Sequence, residues 1–337
     1  MESDIRPDSA DSFYLSDLSP CDKPWDSHRQ TAEQVGQLYS QTDFTRYAGR
    51  IDGCSRFLEF ALKIDDIGTF ALKLQDTRFC RVRFCPVCQW RRSLMWRARF
   101  FQALPNILKD YPTSRFIFLT LTVRNCEITE LRNTLRLMNK AWELLTKKKE
   151  FPAIGFVKTV EVTRSEDLTA HPHFHIILMV RESYFKRGYV SQAKWTEMWK
   201  DCLHVEYTPI VNAKAIKPPK NIKTYQGSAL DTAIIVALCE TLKYSVKETD
   251  LLMDAAWLEQ LTKQLHKTRA ISVGGIFRQY LSDVDDGDLI NTDISDDEAS
   301  SEDDPRLWFG WREMVKRYAK LANEQGYQSR NDTPEEL

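Results

Sequence analysis

Apolar and polar residues alternate with two different periods in the middle of the chain. Four segments are rich in β-branched and aromatic residues or alternate at every second position, as strands do. The strand-like segments are 115–123, 156–163, 171–180 and 207–217. Apolar residues three or four positions apart, typical of amphipathic helices, fill 128–149 and 191–203. The predicted order is therefore β-α-β-β-α-β.

This order predicts an α+β fold with a four- to five-stranded antiparallel sheet and two helices packed on one face. The other face is expected to stay open for a ligand, as in sheets that bind nucleic acid. The third strand in sequence, here 171–180, is expected to run through the centre of the sheet. Further helices are expected to flank this core.

The flanking segments are predicted to be mostly helical. Helices are expected at 49–64, 87–108, 230–246, 251–266 and 308–321. A short strand is expected at 69–74 and a turn at Gly274-Gly275. Residues 1–45 are rich in Asp, Ser, Gln and Pro with few aliphatic residues, which favours a disordered tail.

Charge is unevenly distributed although the net charge is only −1. Residues 46–281 contain 38 Lys and Arg against 23 Asp and Glu, and both ends of the chain are acidic. A basic middle favours a polyanionic ligand, most simply nucleic acid; uneven surface charge without function is the alternative. Residues 282–304 carry eleven acidic and no basic residues, which predicts a disordered linker.

The N-terminus lacks a basic region followed by an apolar core, and no apolar run approaches the roughly 18 residues of a membrane span. We therefore expect a cytoplasmic protein without a membrane partner, whose eight cysteines stay reduced.

Four cysteines have the spacing of a structural zinc site. Cys85 and Cys88 form a Cys-Pro-Val-Cys knuckle, Cys80 lies five residues earlier, and Cys54 could supply the fourth thiolate. A set of buried free thiols is the alternative. Arginines crowd the same segment, and they suit either phosphate contacts or a solvated rim.

These patterns divide the chain into five segments. They are a disordered acidic tail (1–45), a zinc-knuckle and helical module (46–110), the sheet domain (111–281), an acidic disordered linker (282–304) and a C-terminal helix with a tail (305–337).

Three of the six histidines fall within five residues at the start of the third strand, His171-Pro172-His173-Phe174-His175. Because side chains alternate along a strand, His173 and His175 share one face and can chelate a metal. If the second and third strands pair across a turn near residue 167, Glu161 lies opposite His173 on that face. A His, His, carboxylate set suits Mg²⁺ or Mn²⁺, with Mn²⁺ favoured by the nitrogen ligands. A solvated strand face is the alternative for all three; His171 is expected in a turn or as a neighbour of the ligands.

A helix-like segment near residue 244 carries the candidate nucleophile. Glu240 and Tyr244 lie four residues apart, hence on one helical face. Tyr244 could attack phosphorus beside a metal, and Glu240 could accept a proton in a second displacement. Lys243 or Lys247 could pair with a phosphate or lower the pKa of the phenol. Core packing is the alternative for Tyr244.

Three blocks in series resemble the motifs of plasmid rolling-circle replication initiators in the HUH endonuclease superfamily. The blocks are Phe-Leu-Thr-Leu-Thr at 118–122, His-Pro-His-Phe-His at 171–175 and Glu-Thr-Leu-Lys-Tyr-Ser-Val-Lys at 240–247. The knuckle at 83–88 is similar to that of the branch with a single catalytic tyrosine. The resemblance covers roughly residues 46–281.

The resemblance implies an activity and roles for the matching residues. His173 and His175 would bind a divalent metal at the scissile phosphate of a single-stranded origin site. Tyr244 would form a 5′-phosphotyrosine link and free a 3′-OH that primes synthesis, and Glu240 would activate water in the terminating cleavage. A host helicase and a DNA polymerase are the expected partners. The role of Glu161 rests on strand parity alone.

Three other classes of protein are alternatives to this interpretation. A related HUH transposase or relaxase is the close alternative, but no Walker-type Gly-x-x-x-x-Gly-Lys is present. A non-catalytic zinc DNA-binding regulator would use the histidines structurally. A zinc hydrolase is disfavoured because no Asp-His pair follows the histidine motif closely.

Overall fold

The computed structural model describes residues 13–64, 70–217, 234, 237, 242, 246–281, 289–290 and 304–322. Helices α1–α10 are Leu15–Leu18, Lys23–Tyr39, Thr45–Asp52, Pro86–Asp110, Leu131–Thr146, Ser183–Arg187, Gln192–Leu203, Glu248–Leu251, Ala255–Leu265 and Arg278–Leu281. Strands β1–β9 are Phe57–Ile64, Phe70–Asp76, Arg115–Thr122, Ala153–Arg164, Ala170–Val180, Val211–Ala215, Ile271–Gly275, Arg306–Arg312 and Arg317–Lys320. Short 3₁₀ turns occupy Pro20–Asp22 and Ile128–Glu130.

The chain folds into two compact units rather than the five segments expected from composition. One unit combines residues 1–91 with 288–291 and 296–337, and the other is built from 92–287 with 292–295. The expected boundary at residue 110 is wrong, because the division falls inside the continuous helix α4. The C-terminal segment is also not a separate piece, since it belongs to the same unit as the zinc-knuckle segment.

The second unit contains the predicted α+β core. Its five strands are all antiparallel and lie in the order β6-β3-β5-β4-β7, so the histidine strand β5 is central, as predicted. Helices α5 and α7 cover one face of the sheet through aromatic contacts. Phe174 of β5 lies 6.3 Å from Trp199, and Phe156 of β4 lies 5.0 Å from Trp142, measured between ring centroids.

The opposite face is not fully open, which corrects the sequence expectation. Met95 and Phe100 of helix α4 are buried in one apolar cluster with Val157, Ile177 and Met179 of the sheet. These three strand residues share the face that carries His173 and His175. The residue pattern of the strands could not predict that α4 covers this face, because α4 precedes the sheet and lies outside the β-α-β-β-α-β order. The histidines mark the polar end of an otherwise covered face.

Strand β7 replaces the turn expected at Gly274-Gly275. It pairs with β4, and Gly274 lies opposite Phe156. A Cβ on Gly274 would lie 2.1 Å from the Phe156 ring, and Gly275 has a φ of 61°. The two glycines therefore allow a close approach of the two strands and one left-handed residue.

The first unit holds a second antiparallel sheet, in the order β2-β1-β8-β9. The helices expected at 49–64 and 308–321 are wrong: α3 ends at Asp52, and the remaining residues form β1 and the β8–β9 hairpin. Pairing of Phe57 with Gly310, in strands some 250 residues apart, satisfies their backbone groups and overrides the helical spacing.

The N-terminal segment is also not a disordered tail where the structure describes it. Helix α2 buries Trp25, Val35 and Tyr39, with Arg29 wholly buried between them. Arg29 donates to the carbonyl oxygens of Ile51 at 2.8 Å and Asp52 at 2.7 Å. A narrow stripe of apolar residues is enough to dock this helix, although its composition is polar.

Two expectations lie largely outside the described residues. In the helix expected at 230–246, only residues 234, 237, 242 and 246 are described, and Ile234 and Ala237 are helical. In the acidic segment 282–304, the described Leu289 is buried and its carbonyl accepts a hydrogen bond from Arg91 at 2.9 Å. None of the helices formed by the described residues is both long and apolar enough to cross a bilayer.

Candidate metal centre

The β4–β5 hairpin brings the predicted carboxylate to the predicted histidines. The hairpin turns at 165–169, where Leu168 adopts a φ of 67°. In the resulting register Glu161 lies opposite His173, and Thr159 lies opposite His175. The turn lies at the position near residue 167 that was assumed, and the pairing of Glu161 with His173 is the one that strand parity then predicts.

The side chains of Glu161, His173 and His175 converge on one point. The Oε2 atom of Glu161 lies 3.1 Å from Nε2 of His173 and 2.8 Å from Nε2 of His175. The three potential ligand atoms lie within 4.8 Å of one another. The side chains remain 11–22% exposed, so the cluster is shielded by the sheet but reachable from solvent.

The ionised carboxylate of Glu161 makes the cluster suitable for binding a cation. Burial by itself would raise the pKa of Glu161, but hydrogen bonds from His173 and His175 outweigh it and hold that pKa well below its usual range. The carboxylate is therefore ionised at neutral pH. Two imidazole nitrogens and one anionic oxygen are a donor set that fits Mn²⁺ or Mg²⁺, and open positions remain for a ligand.

Outer contacts orient both imidazole rings. The Nδ1 atom of His173 lies 3.2 Å from the carbonyl oxygen of His171, and Nδ1 of His175 lies 3.3 Å from the hydroxyl of Thr120. Each ring therefore turns its Nε2 atom towards Glu161. Hydrogen bonds of this kind fix the orientation of metal-binding histidines.

His171 belongs to strand β5 and not to a turn, which corrects one of the two expectations for it. Its Nδ1 atom lies 2.7 Å from Oδ1 of Asn125, and its ring centroid lies 5.2 Å from that of His173. His171 is therefore a neighbour of the three converging side chains and not one of them, which agrees with the expectation that it lies next to the ligands.

Thr120 and Asn125 were not predicted to contact the histidines, although Thr120 lies in the Phe-Leu-Thr-Leu-Thr block at 118–122. Strand parity contains the signal for Thr120, because Thr120 and Thr122 lie two residues apart on a strand that pairs with β5. No sequence signal marks Asn125, since its contact with His171 depends on the path of a loop.

The four predicted cysteines form one buried cluster in the first unit. The Sγ atoms of Cys54 and Cys88 lie 3.6 Å apart, those of Cys80 and Cys88 3.7 Å, and those of Cys54 and Cys85 3.7 Å. Four sulfur ligands about 2.3 Å from a tetrahedral zinc ion lie about 3.8 Å from one another. The separations thus fit a zinc ion and are far too long for disulfide bonds.

The surroundings of this cluster stabilise a thiolate at Cys54, whereas burial raises the pKa of the Cys85 thiol well above its usual value. The backbone N–H of Cys80 points to Sγ of Cys54 at 3.4 Å. Hydrogen bonds from the other three thiols hold the pKa of Cys54 well below its usual value. Cys21, Cys126 and Cys202 lie outside the cluster, and Cys239 is not among the described residues.

Most of the candidate tyrosine segment lies outside the described residues. This holds for Glu240, Lys243 and Tyr244. Their neighbour Leu242 is buried in the apolar cluster that contains Val157 and Ile177. Lys247 is exposed at the residue preceding α8 and is not part of the Glu161 cluster.

The chain is similar to known proteins along most of its length. The family model described as "Replication protein" matches residues 71–319. "Protein rep" of Lentilactobacillus hilgardii is 34% identical over 287 residues, which cover 81% of this chain and 87% of that protein. "Protein rep" of Streptococcus pneumoniae serotype 2 is 31% identical over 292 residues, covering 83% and 87%. No solved structure matches the chain.

The family match spans well over half of the chain and includes the Cys80, Cys85 and Cys88 knuckle, the Glu161 cluster and Tyr244. Both relatives are similar along most of their own length. The chain therefore belongs to the replication protein (Rep) family, the plasmid replication initiators that its ordered motifs resemble.

Proposed function

We propose that this replication protein nicks and rejoins one DNA strand at a plasmid origin, and so starts rolling-circle replication. The observation that carries the proposal is the convergence of Glu161, His173 and His175 at the polar end of the central strand. An anionic carboxylate and two oriented imidazoles are suited to hold a divalent cation against a phosphate.

Glu161, His173 and His175 would hold Mn²⁺ or Mg²⁺ through Oε2 and the two Nε2 atoms. When bound, the cation withdraws charge from the oxygens of the scissile phosphate. The sheet shields one side of the cluster and leaves the other reachable, which suits a single DNA strand laid across it.

Tyr244 is the proposed nucleophile. Its phenolic oxygen attacks the phosphorus, the bond to the 3′-oxygen of the preceding nucleotide breaks, and the phenolic proton ends on that oxygen as a free 3′-OH. The 5′-phosphate stays on the tyrosine. Support comes from Leu242, which is buried in the same apolar cluster as Val157 and Ile177. Those two residues lie next to Thr159 and His175 along the same strand face.

The segment that follows Tyr244 is tied to the same end of the sheet. Asp250 accepts a hydrogen bond from the backbone N–H of Arg164 at 3.0 Å, and Asp254 pairs with the Arg164 guanidinium at 2.6 Å. Arg164 lies three residues after Glu161 in β4. Anchors on both sides of Tyr244 thus favour its approach to the metal ligands.

The remaining residues of the segment have supporting roles in this proposal. Glu240 accepts a proton from water in the second, terminating displacement, so a second tyrosine is not needed. Lys243 and Lys247 neutralise phosphate charge or lower the pKa of the phenol. Zn²⁺ held by the cysteine cluster stabilises the first unit.

The partners follow from the reaction. The substrate is single-stranded DNA at the origin, and the free 3′-OH would be extended by a DNA polymerase while a host helicase separates the strands. The basic balance of residues 46–281 supports a polyanionic substrate.

The test is a covalent adduct. Wild-type protein incubated with single-stranded origin DNA and Mn²⁺ should give a protein–DNA band that survives denaturation. Tyr244→Phe should abolish the band and keep DNA binding, whereas the exposed Tyr189→Phe should retain both. An adduct in Tyr244→Phe would show that the nucleophile is another residue. DNA binding without an adduct in wild type would favour the non-catalytic regulator.

The role of Glu240 has a separate test. Glu240→Ala should still nick and form the adduct, but the terminating cleavage should fail and joined circles should not accumulate. Normal termination by this variant would remove Glu240 from the mechanism.

A further inference from the structure

The side chain of an exposed arginine, Arg124, lies over a tyrosine ring near the histidine cluster. The guanidinium carbon of Arg124 lies 4.2 Å from the centroid of the Tyr207 ring. The backbone N–H of Arg124 also donates to the Tyr207 hydroxyl at 3.1 Å. One tyrosine thus fixes both the backbone and the side chain of Arg124. A guanidinium that lies over an aromatic ring can still donate its N–H groups to an anion.

This pair lies close to the metal ligands. Arg124 follows β3 two residues after Thr122, which pairs with His173. At about 3.3 Å per residue, Arg124 begins roughly 7 Å beyond that position. Its neighbour Asn125 contacts the Nδ1 atom of His171 at 2.7 Å. A strand whose phosphate sits on the cluster would therefore have another phosphate within reach of Arg124.

Among the described residues, the charge of Arg124 has no carboxylate partner. Arg164 offers a contrast, because it also lies over an aromatic ring, Trp257 at 4.9 Å, but is paired with Asp254 at 2.6 Å. Arg124 has the aromatic contact with Tyr207, and within the described part of the chain no carboxylate forms an ion pair with it. An oriented and exposed arginine of this kind is suited to an external anion.

We propose that Arg124 binds a backbone phosphate of single-stranded DNA adjacent to the phosphate at the Glu161 cluster, and that Tyr207 positions Arg124 for this contact. The identity of the strand rests on the proposed function; the contact deepens it by naming a subsite. Arg124 would fix the strand relative to the cluster without reading the bases.

Salt dependence is the direct test, because each phosphate contact to a single strand contributes about 0.7 to the slope of log affinity against log salt. Fluorescence anisotropy of labelled single-stranded oligonucleotides, with full-length protein and no divalent metal, measures this slope. In Arg124→Ala and Arg124→Gln the slope should fall by about 0.7, and the affinity loss should be equal for oligonucleotides of different sequence. Arg187→Ala removes the same charge beyond the opposite end of β5 and should leave the slope unchanged.

Tyr207 acts through Arg124, and this predicts non-additive effects. Tyr207→Ala should weaken binding in the wild-type background and have no further effect in Arg124→Ala, while Tyr207→Phe, which keeps the ring, should lose less. An additive Tyr207→Ala effect would overturn the positioning role.

An unchanged slope in both Arg124 variants would overturn the phosphate contact, and so would a loss that depends on base sequence. Binding is measured without metal or cleavage, so its outcome is independent of nicking. If the Tyr244 adduct forms but the slope stays constant, the subsite is wrong and the proposed function stands.

Discussion

At the scale of single residues, strand parity determines more of the site than composition does. The alternation of side chains along β4 and β5 places Glu161 opposite His173, and the observed register shows that pairing. Parity could have identified Thr120 as well, since it lies opposite His175. Asn125 could not be predicted, because its contact with His171 is made from a loop with no periodic pattern.

Removal of the Glu161 charge should weaken the metal site selectively. Glu161→Gln keeps the shape of the side chain but loses the anionic ligand, so Mn²⁺ affinity should fall at least tenfold. Titration followed by the electron paramagnetic resonance of free Mn²⁺ measures this. The exposed hairpin residue Glu166 provides the control, and Glu166→Gln should bind as wild type does. Equal affinities of Glu161→Gln and wild type would remove Glu161 from the ligand set.

Lys158, on the face of the sheet that α5 and α7 cover, should make stability depend on pH. Burial lowers its pKa from 10.5 to about 8, although its ammonium group donates to Asn139 at 2.8 Å. Because the folded-state pKa is the lower one, the unfolded chain binds more protons between pH 8 and 10.5. The free energy of unfolding should therefore rise with pH across this window, by on the order of 3 kcal/mol.

The comparison with Lys158→Met isolates this effect from other titrating groups. Urea unfolding at several pH values should give a wild-type minus variant difference that grows from pH 8 to 10.5. A difference that is constant over this window would contradict the assigned pKa shift.

At the scale of elements, local periodicity predicts those that pack locally and fails for those that pair across the sequence. The β-α-β-β-α-β core was predicted in order because its helices pack on neighbouring strands. Strand β7 was missed since its two glycines resemble a turn, and its close approach to Phe156 of β4 is visible only in three dimensions. The apolar spacing of strand β8 predicts a helix, and only its pairing with β1 shows that it is a strand.

The missed strand gives a test of its own. In Gly274→Ala the new methyl group would lie 2.1 Å from the Phe156 ring, so the second unit should lose about 1–3 kcal/mol of stability. Gly188→Ala is the control, since a Cβ there meets only ordinary contacts, 3.6 Å or more away. Denaturant unfolding compares them, and equal stabilities would show that β7 does not pack against Phe156 as described.

The cysteine cluster should behave as a metal-dependent element. Cys85→Ser removes one of four ligands, so zinc per chain should fall and the melting temperature of the first unit should drop. Cys21→Ser changes an exposed cysteine outside the cluster and should retain both. Elemental analysis measures the zinc content, and thermal unfolding measures the melting temperature. Unchanged zinc content in Cys85→Ser would contradict the tetrathiolate site.

In the molecule as a whole, each of the two units has its own antiparallel sheet and its own cluster of possible metal ligands. In the first unit β1 pairs with β8 of the C-terminal hairpin, and helix α2 meets the hairpin where Asp26 accepts a hydrogen bond from the Tyr318 N–H. The same unit contains the cysteine cluster. The second unit has the larger sheet and carries the Glu161 cluster. Five consecutive segments could not describe this arrangement, because composition varies along the chain while contacts join its ends.

The proposed mechanism requires that Tyr244 reacts at the Glu161 cluster, and peptide mapping of the covalent adduct identifies the residue that reacts. After reaction with single-stranded origin DNA and Mn²⁺, nuclease and protease digestion should leave one peptide with a nucleotide 5′-phosphate, identified by mass spectrometry. The chain has twelve tyrosines, and we predict that the modified residue is Tyr244 and that Glu161→Gln strongly reduces its yield. A nucleotide on any other residue, or an undiminished yield in Glu161→Gln, would contradict the proposed mechanism.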